Sequence, residues 1–157
     1  YQLAGIVPDI VSMAKGIAGG FPMCAFSAHG EVADLLGPGD HGSTFGGNPL
    51  ACAVGRATME TLVAEGIGEH VIEVGAQLAD RLATLPHVTE VRGRGLMRGA
   101  QLDAPMARGL VEQGLHAGLV LNCVGDSTLR FLPPLVVTTG QVDAMAERLA
   151  KLMGQVA

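Results

Sequence analysis

From Ile67 to Leu85 the apolar residues Ile67, Val71, Val74, Leu78, Leu82 and Leu85 recur at steps of four, three, four, four and three. That spacing lays them along one face of an α-helix. Pro86 ends the pattern, because proline lacks the N–H of the next helical hydrogen bond and its ring crowds the preceding turn. A helix with a single apolar stripe needs a second layer to cover it. The neighbouring segments supply candidates for that layer. Val88 to Leu102 alternates loosely around Gly93, Gly95 and Gly99 and reads as a hairpin or bent strand pair. Met106–Leu115 reads as a helix, Leu119–Asn122 and Thr128–Phe131 as strands, and Val142, Met145, Leu149 and Leu152 as the apolar face of a closing helix.

The first third of the chain is different in texture. Ile10–Ala14 and Met23–Ser27 are short apolar runs that read as strands around a glycine turn, and Glu31–Leu36 suits one or two helical turns. The segment from 37 to 47, GPGDHGSTFGG, is a loop. Asn48-Pro49 then opens a helix, since Asn accepts backbone N–H groups at an N-cap and Pro suits the first helical position; this helix runs to about Ala64 before Glu65-Gly66 breaks it. The expected fold class is α/β or α+β, in two parts: residues 1–66, rich in glycine loops, and residues 67–157, a helix and strand alternation.

A length of 157 residues fits one domain or two small ones, at about 150 residues each. Hydrophobic residues at 48% against 16% charged exclude disorder. A net charge of −5 gives no electrostatic reason to bind a phosphate backbone, so nucleic acid is not an expected partner. Cys24, Cys52 and Cys123 form no CxxC pair, which argues against a disulfide framework or a thiolate zinc site and for a reducing, cytoplasmic setting. The apolar stretch Leu3–Phe26 is cut by Pro8, Asp9, Lys15 and Pro22, which a bilayer span of about 20 residues does not tolerate. No secretory signal is read. Because the chain opens at Tyr1 and runs at once into apolar sequence, it is expected to be cut from a larger protein.

The chain has two lysines. Lys151 belongs to the closing helix and reads as a solvated side chain on its outer face. Lys15 stands at the end of an apolar strand and before a flexible GIAGG stretch, where a rigid element can aim one amine into a cleft. Desolvation favours a neutral amine, and a neutral amine attacks carbonyl carbon. In HGSTFGGNP, from 41 to 49, glycines allow close backbone approach and Ser43 and Thr44 bring hydroxyls. The helix at Asn48-Pro49 directs a positive dipole end toward the loop, so the segment suits an anion, whether phosphate or carboxylate, or is an ordinary capped loop. Arg130 lies between Leu129 and Phe131, an apolar setting in which a guanidinium seeks a carboxylate from the protein or from a substrate. The GRG at 93–95 lacks the strand, spacing and acidic residue of a dinucleotide site, and His29, His41, His70, His87 and His116 show no metal-ligand spacing.

Taken together, PDIVSMAKGIAGGFPMCA, GDHGSTFGGNPLACA, VRGRGLMRG and LRFLPPLVVT resemble, in order and spacing, the class III pyridoxal-phosphate aminotransferases. The likeness covers essentially the whole chain and leans toward members acting on N-acetylornithine. It implies a fold type I enzyme, with residues 1–66 ending a large, mainly parallel-sheet domain and residues 67–157 forming a small α+β C-terminal domain. It implies that Lys15 is the catalytic lysine that binds pyridoxal 5'-phosphate, that Thr44 contacts the cofactor phosphate in the neighbouring subunit of a homodimer, and that Ser43 and Arg130 contact substrate, Arg130 through the α-carboxylate. The implied reaction moves an amino group from N-acetylornithine to 2-oxoglutarate in arginine biosynthesis. Other ω-amino acid transaminases, acting on ornithine or 4-aminobutyrate, and aminomutases share these motifs. A non-catalytic truncated or oligomerisation fragment is the alternative of another class. The family's phosphate loop, its cofactor-stacking aromatic ring and its pyridine-pairing Asp would all precede Tyr1.

Overall fold

The stripe read from Ile67 onward forms helix α2 (Ile67–Ala83), whose Val74, Leu78 and Leu82 lose essentially all solvent exposure. A computed structural model describes residues 1–156. They form two compact units, Tyr1–Glu65 and one that begins at Gly66. Gly66 is the N-cap of α2 with φ +60, a left-handed conformation that glycine adopts without the penalty a Cβ brings.

In the first unit, β1 (Ile10–Met13) pairs antiparallel with β2 (Ala25–Ala28), with Ile10 opposite Ala28 and Met13 opposite Ala25. A 3₁₀ turn, Lys15–Ala18, lies between them, and a second, Gly30–Asp34, follows β2. Helix α1 (Pro49–Ala64) packs on the first of these turns. The approach there is close: a Cβ on Gly55 would meet Met23 Sδ at 2.8 Å. These residues hold one strand pair, and it is antiparallel, so they contribute none of the parallel pairing that the resemblance implies for the large domain.

The second unit is built on four strands, β3 (Val88–Arg94), β4 (Met97–Leu102), β5 (Asn122–Val124) and β6 (Thr128–Phe131), ordered β3-β4-β6-β5 and antiparallel throughout. Helix α3 (Ala107–His116) joins α2 against the sheet, and α4 (Thr139–Val156) packs on both of these helices. Alternation along the strands sends Ala100, Leu102, Leu129 and Phe131 into a core shared with Leu110, Leu149 and Met153. Full burial of each leucine contributes about 1.5–3 kcal/mol. Helices gathered on an antiparallel sheet give this unit an α+β architecture.

One expected strand moves. The run Leu119–Asn122 is not a strand along its length; β5 begins at Asn122. Leu119 is instead spent on closing α3. Gly118 takes φ +71, the Leu119 N–H donates to the Gly114 carbonyl at 2.8 Å, and the Gly118 N–H donates to that of Leu115 at 3.2 Å. This paired closure satisfies carbonyls that the helix end would otherwise leave bare.

Candidate functional site

Lys15 is one of two non-glycine residues in the left-handed region among the described residues, with φ +59. The chain leaves β1 through an extended Ala14 and reverses at Lys15 into the 3₁₀ turn, which closes on Gly19. Holding a residue with a Cβ there costs about 1–2 kcal/mol. Strain of this kind at a strand end is a pointer to function. The Lys15 side chain is exposed, and no carboxylate lies within 4 Å of it among the described residues. The desolvation that a neutral amine requires is therefore not supplied by these residues.

Beside β1 and β2 lies a cleft of about 840 Å³. Met13 and Phe26 line it from the strands, Cys24 from just before β2, and His41, Ser43 and the loop glycines from the other side. Phe26 and His41 meet edge to face with ring centroids 6.1 Å apart. His41 opens the HGSTFGGNP segment already singled out in the sequence, whereas Phe26 and Cys24 do not stand out there, because the pairing of β1 with β2 and the return of the loop bring them to it. Ser43 and Thr44 are exposed. The Ser43 carbonyl accepts the Gly46 N–H at 3.3 Å, which curls the loop.

The N-terminus of α1 is more fully occupied than the sequence suggests. Asn48 Oδ1 accepts the Ala51 N–H at 2.9 Å, the Asn48 carbonyl accepts that of Cys52 at 3.1 Å, and Pro49 has no N–H to offer. Asn48 Nδ2 also donates to the Phe45 carbonyl at 2.8 Å and ties the cap to the loop. An anion here would have to be met by the loop and its hydroxyls, with only the dipole of α1 behind them.

Arg130 belongs to the second unit. It lies on β6, opposite Gly99 of β4 and Asn122 of β5, and it is exposed on the face away from the buried Leu129 and Phe131. An internal ion pair is not its role among the described residues, since no carboxylate lies within 4 Å of it. Lys151 is exposed on α4. The GRG at 93–95 forms the end of the β3–β4 hairpin, where Arg98 donates to the carbonyls of Gly93 and Gly95. No group of three or more metal-ligating side chains occurs among the described residues.

In the first unit Lys15 offers an amine on a strained backbone, and Ser43 and Thr44 offer two hydroxyls on a glycine loop; in the second unit Arg130 offers a guanidinium with no carboxylate within 4 Å among the described residues. By its chemistry an amine would suit an aldehyde, loop hydroxyls a phosphate and a guanidinium a carboxylate, the donor types that pyridoxal phosphate and an acidic substrate would call on. The family profile for aminotransferase class-III matches residues 1–153. The chain belongs to the class III aminotransferases. It is 43% identical over 159 residues to acetylornithine aminotransferase 1 of Bordetella bronchiseptica, covering 99% of this chain and 40% of that protein. Among solved structures it resembles the acetylornithine aminotransferase of Elizabethkingia anophelis, with TM-score 0.86 and 30% identity over 98% of this chain and 43% of that one. It also resembles the ornithine aminotransferase of Toxoplasma gondii, with TM-score 0.84 and 34% identity over 95% of this chain and 37% of that one. This class III aminotransferase chain spans about 40% of the length of the curated relatives it matches. Class III aminotransferases are pyridoxal-phosphate enzymes of fold type I. No helix among the described residues is long and apolar enough to cross a membrane.

Proposed function

We propose that the complete protein moves an amino group from N-acetylornithine to 2-oxoglutarate with pyridoxal phosphate, a step of arginine biosynthesis. The observation that carries this reading is the 43% identity to a protein named acetylornithine aminotransferase 1 across 99% of the chain. In this reading residues 1–66 end the large cofactor domain and residues 67–157 make the small C-terminal domain. The enzyme works as a cytoplasmic homodimer.

Pyridoxal phosphate, when bound, supplies an electron sink that acidifies the proton on the amino-bearing carbon of the substrate. The residues of this chain do the rest. Lys15 Nζ would hold the group, and as a neutral amine it would take the substrate proton as general base. The left-handed backbone at position 15 fixes where that nitrogen starts. Thr44 donates its hydroxyl to the phosphate in the partner's site, and Ser43 contacts substrate beside it. Arg130 grips the α-carboxylate through two parallel N–H bonds, which orients donor and acceptor alike. Orientation carries weight because a misplacement of about 1 Å costs about 100-fold in rate.

The experiment that tests the reading is an assay of the purified full-length enzyme with N-acetylornithine, ornithine and 4-aminobutyrate, each with 2-oxoglutarate. The highest kcat/KM is expected for N-acetylornithine. A preference for ornithine would favour the second reading, which the likeness to the Toxoplasma gondii enzyme supports. Absence of turnover with every amine would overturn both readings and leave a non-catalytic protein.

A further inference from the structure

Arg92 plays no part in the roles assigned so far, yet the sheet ties it to the strand that carries Arg130. Arg92 on β3, Gly99 on β4 and Arg130 on β6 stand in one row of the register, so their side-chain positions share a face. Gly99 leaves the middle of that row open, and the Arg92 side chain passes through the opening. A Cβ on Gly99 would lie 3.6 Å from Arg92 Cγ and 3.6 Å from Thr128 Cγ2. Having crossed β4, Arg92 Nη2 donates to Thr128 Oγ1 at 3.3 Å.

Thr128 is the buried polar side chain among the described residues, 8% exposed, and both roles of its hydroxyl are filled. It accepts from Arg92 and donates to Gln101 Oε1 at 2.9 Å. Arg92 Nη1 donates to the same Gln101 Oε1 at 3.4 Å and to Glu90 Oε2 at 3.5 Å. Removing the arginine leaves a buried hydroxyl short of a donor, which is costly away from water. Thr128 precedes Arg130 by two residues on the same face of β6, about 6.6 Å along the strand. β6 itself is only four residues long, and β5 on its outer side only three.

We propose that Arg92 is a positioning residue for carboxylate recognition: by crossing Gly99 to hold Thr128, it fixes the short strand from which Arg130 presents its guanidinium, and does not itself touch substrate. This rests on the reading of Arg130 as the α-carboxylate ligand. Glu90, the acidic group that reaches Arg92, offsets part of its charge.

The test uses the full-length, cofactor-loaded enzyme and two readouts, the Kd for glutarate, a dicarboxylate without a reactive carbonyl, and the Kd for pyridoxal phosphate. Arg92→Gln is expected to weaken glutarate about tenfold and to leave cofactor retention unchanged, the loss of roughly one hydrogen bond to a charged group. Thr128→Val is expected to reproduce that loss, and Thr128→Ser, which keeps the hydroxyl, to stay within about twofold of the parent. Unchanged glutarate binding in Arg92→Gln overturns the proposal. So does equal weakening of glutarate and cofactor, the sign of a general disturbance, or a loss in Arg92→Gln that Thr128→Val does not share, the sign of direct contact. Arg130→Gln separates the underlying assumption: unchanged glutarate binding there removes Arg130 from the site and takes the proposal for Arg92 with it.

Discussion

Gly75 of α2 and Gly95 at the tip of the β3–β4 hairpin meet backbone to backbone: a Cβ on Gly75 would lie 2.5 Å from both the carbonyl carbon and the carbonyl oxygen of Gly95. Arg98 fastens the same junction. Its Nε donates to the Gly95 carbonyl at 2.9 Å and its Nη2 to the Gly75 carbonyl at 3.0 Å, so one guanidinium joins the helix to the hairpin. The hairpin carries β4, and β4 carries β6, so the junction seats the strand on which Arg130 stands.

Gly75→Ala therefore forces a methyl group against backbone that has no rotamer to yield. A loss of about 1–3 kcal/mol is expected, the usual cost of overpacking. Gly68 in the same helix is the control, because a Cβ there meets nothing within 4 Å. Gly68→Ala is expected to stabilise by about 0.4–1 kcal/mol through the unfolded chain. Urea midpoints of the full-length variants measure both. A Gly75→Ala midpoint equal to that of the parent would show that the helix and hairpin can separate freely.

Asp143 on α4 gives the second unit a dependence on acid. Its carboxylate accepts Arg81 Nε at 2.7 Å and Gln77 Nε2 at 2.8 Å, both from α2. The hydrogen bond from Arg81 does most to hold this carboxyl below the usual range; the one from Gln77 and the charge of Arg81 act the same way, and partial burial opposes them. A carboxyl whose pKa is lower in the folded state stabilises the fold at pH values above its unfolded pKa and loses that contribution as pH falls through the folded value. The parent is expected to exceed Asp143→Asn in stability by a constant margin above about pH 5, and the margin to close below about pH 4, where ordinary carboxylates protonate. Thermal unfolding of the pair across this range is the measurement, and a margin that widens on acidification would reverse the assigned sign.

Much of this arrangement is legible before any coordinates, and the parts that are not have physical reasons. The steps between Ile67 and Leu85 are local and strong enough to define α2, and Asn48-Pro49 announces its helix because both residues act on the first turn alone. Leu119 misleads because an apolar residue after a helix serves a strand or a capping contact equally well, and φ at Gly118 decides between them. The candidate site divides in the same way. Lys15, Ser43 and Thr44 are visible as unusual residue types in glycine-rich surroundings. Arg92 is invisible, since its partner Thr128 lies 36 positions away and only the strand register brings them together. Cys24 and His41 border one cleft for a similar non-local reason.

Lys15→Ala in the full-length enzyme tests the anchor by chemistry as well as by rate. Borohydride reduction of the parent with bound cofactor is expected to leave a covalent adduct on the peptide containing Lys15, and the variant none. Transamination should fall by about 100- to 10,000-fold, the range that general acid–base groups contribute. Lys151→Ala, on the exposed side of α4, should keep both adduct and rate. Peptide mapping that finds the adduct at Lys151 would overturn the assignment.

Thr44 raises a question of geometry that one subunit cannot answer and two can. If its hydroxyl serves the partner's site, each site takes its lysine from one chain and its threonine from the other. Thr44→Ala alone should weaken cofactor retention by about 1.5–3 kcal/mol, the worth of a hydrogen bond to a charged group. A mixed dimer of one Lys15→Ala chain with one Thr44→Ala chain is more telling. One of its sites then lacks both groups, while the other combines the lysine of the Thr44→Ala chain with the threonine of the Lys15→Ala chain and is complete. Mixing the two purified variants, with exchange of subunits, is therefore expected to restore activity toward half that of the parent per mixed dimer, and to restore tight cofactor binding at one site in two. Were Thr44 to serve its own chain, no site in the mixture would hold both groups, and the activity would stay at the sum of the separate variants.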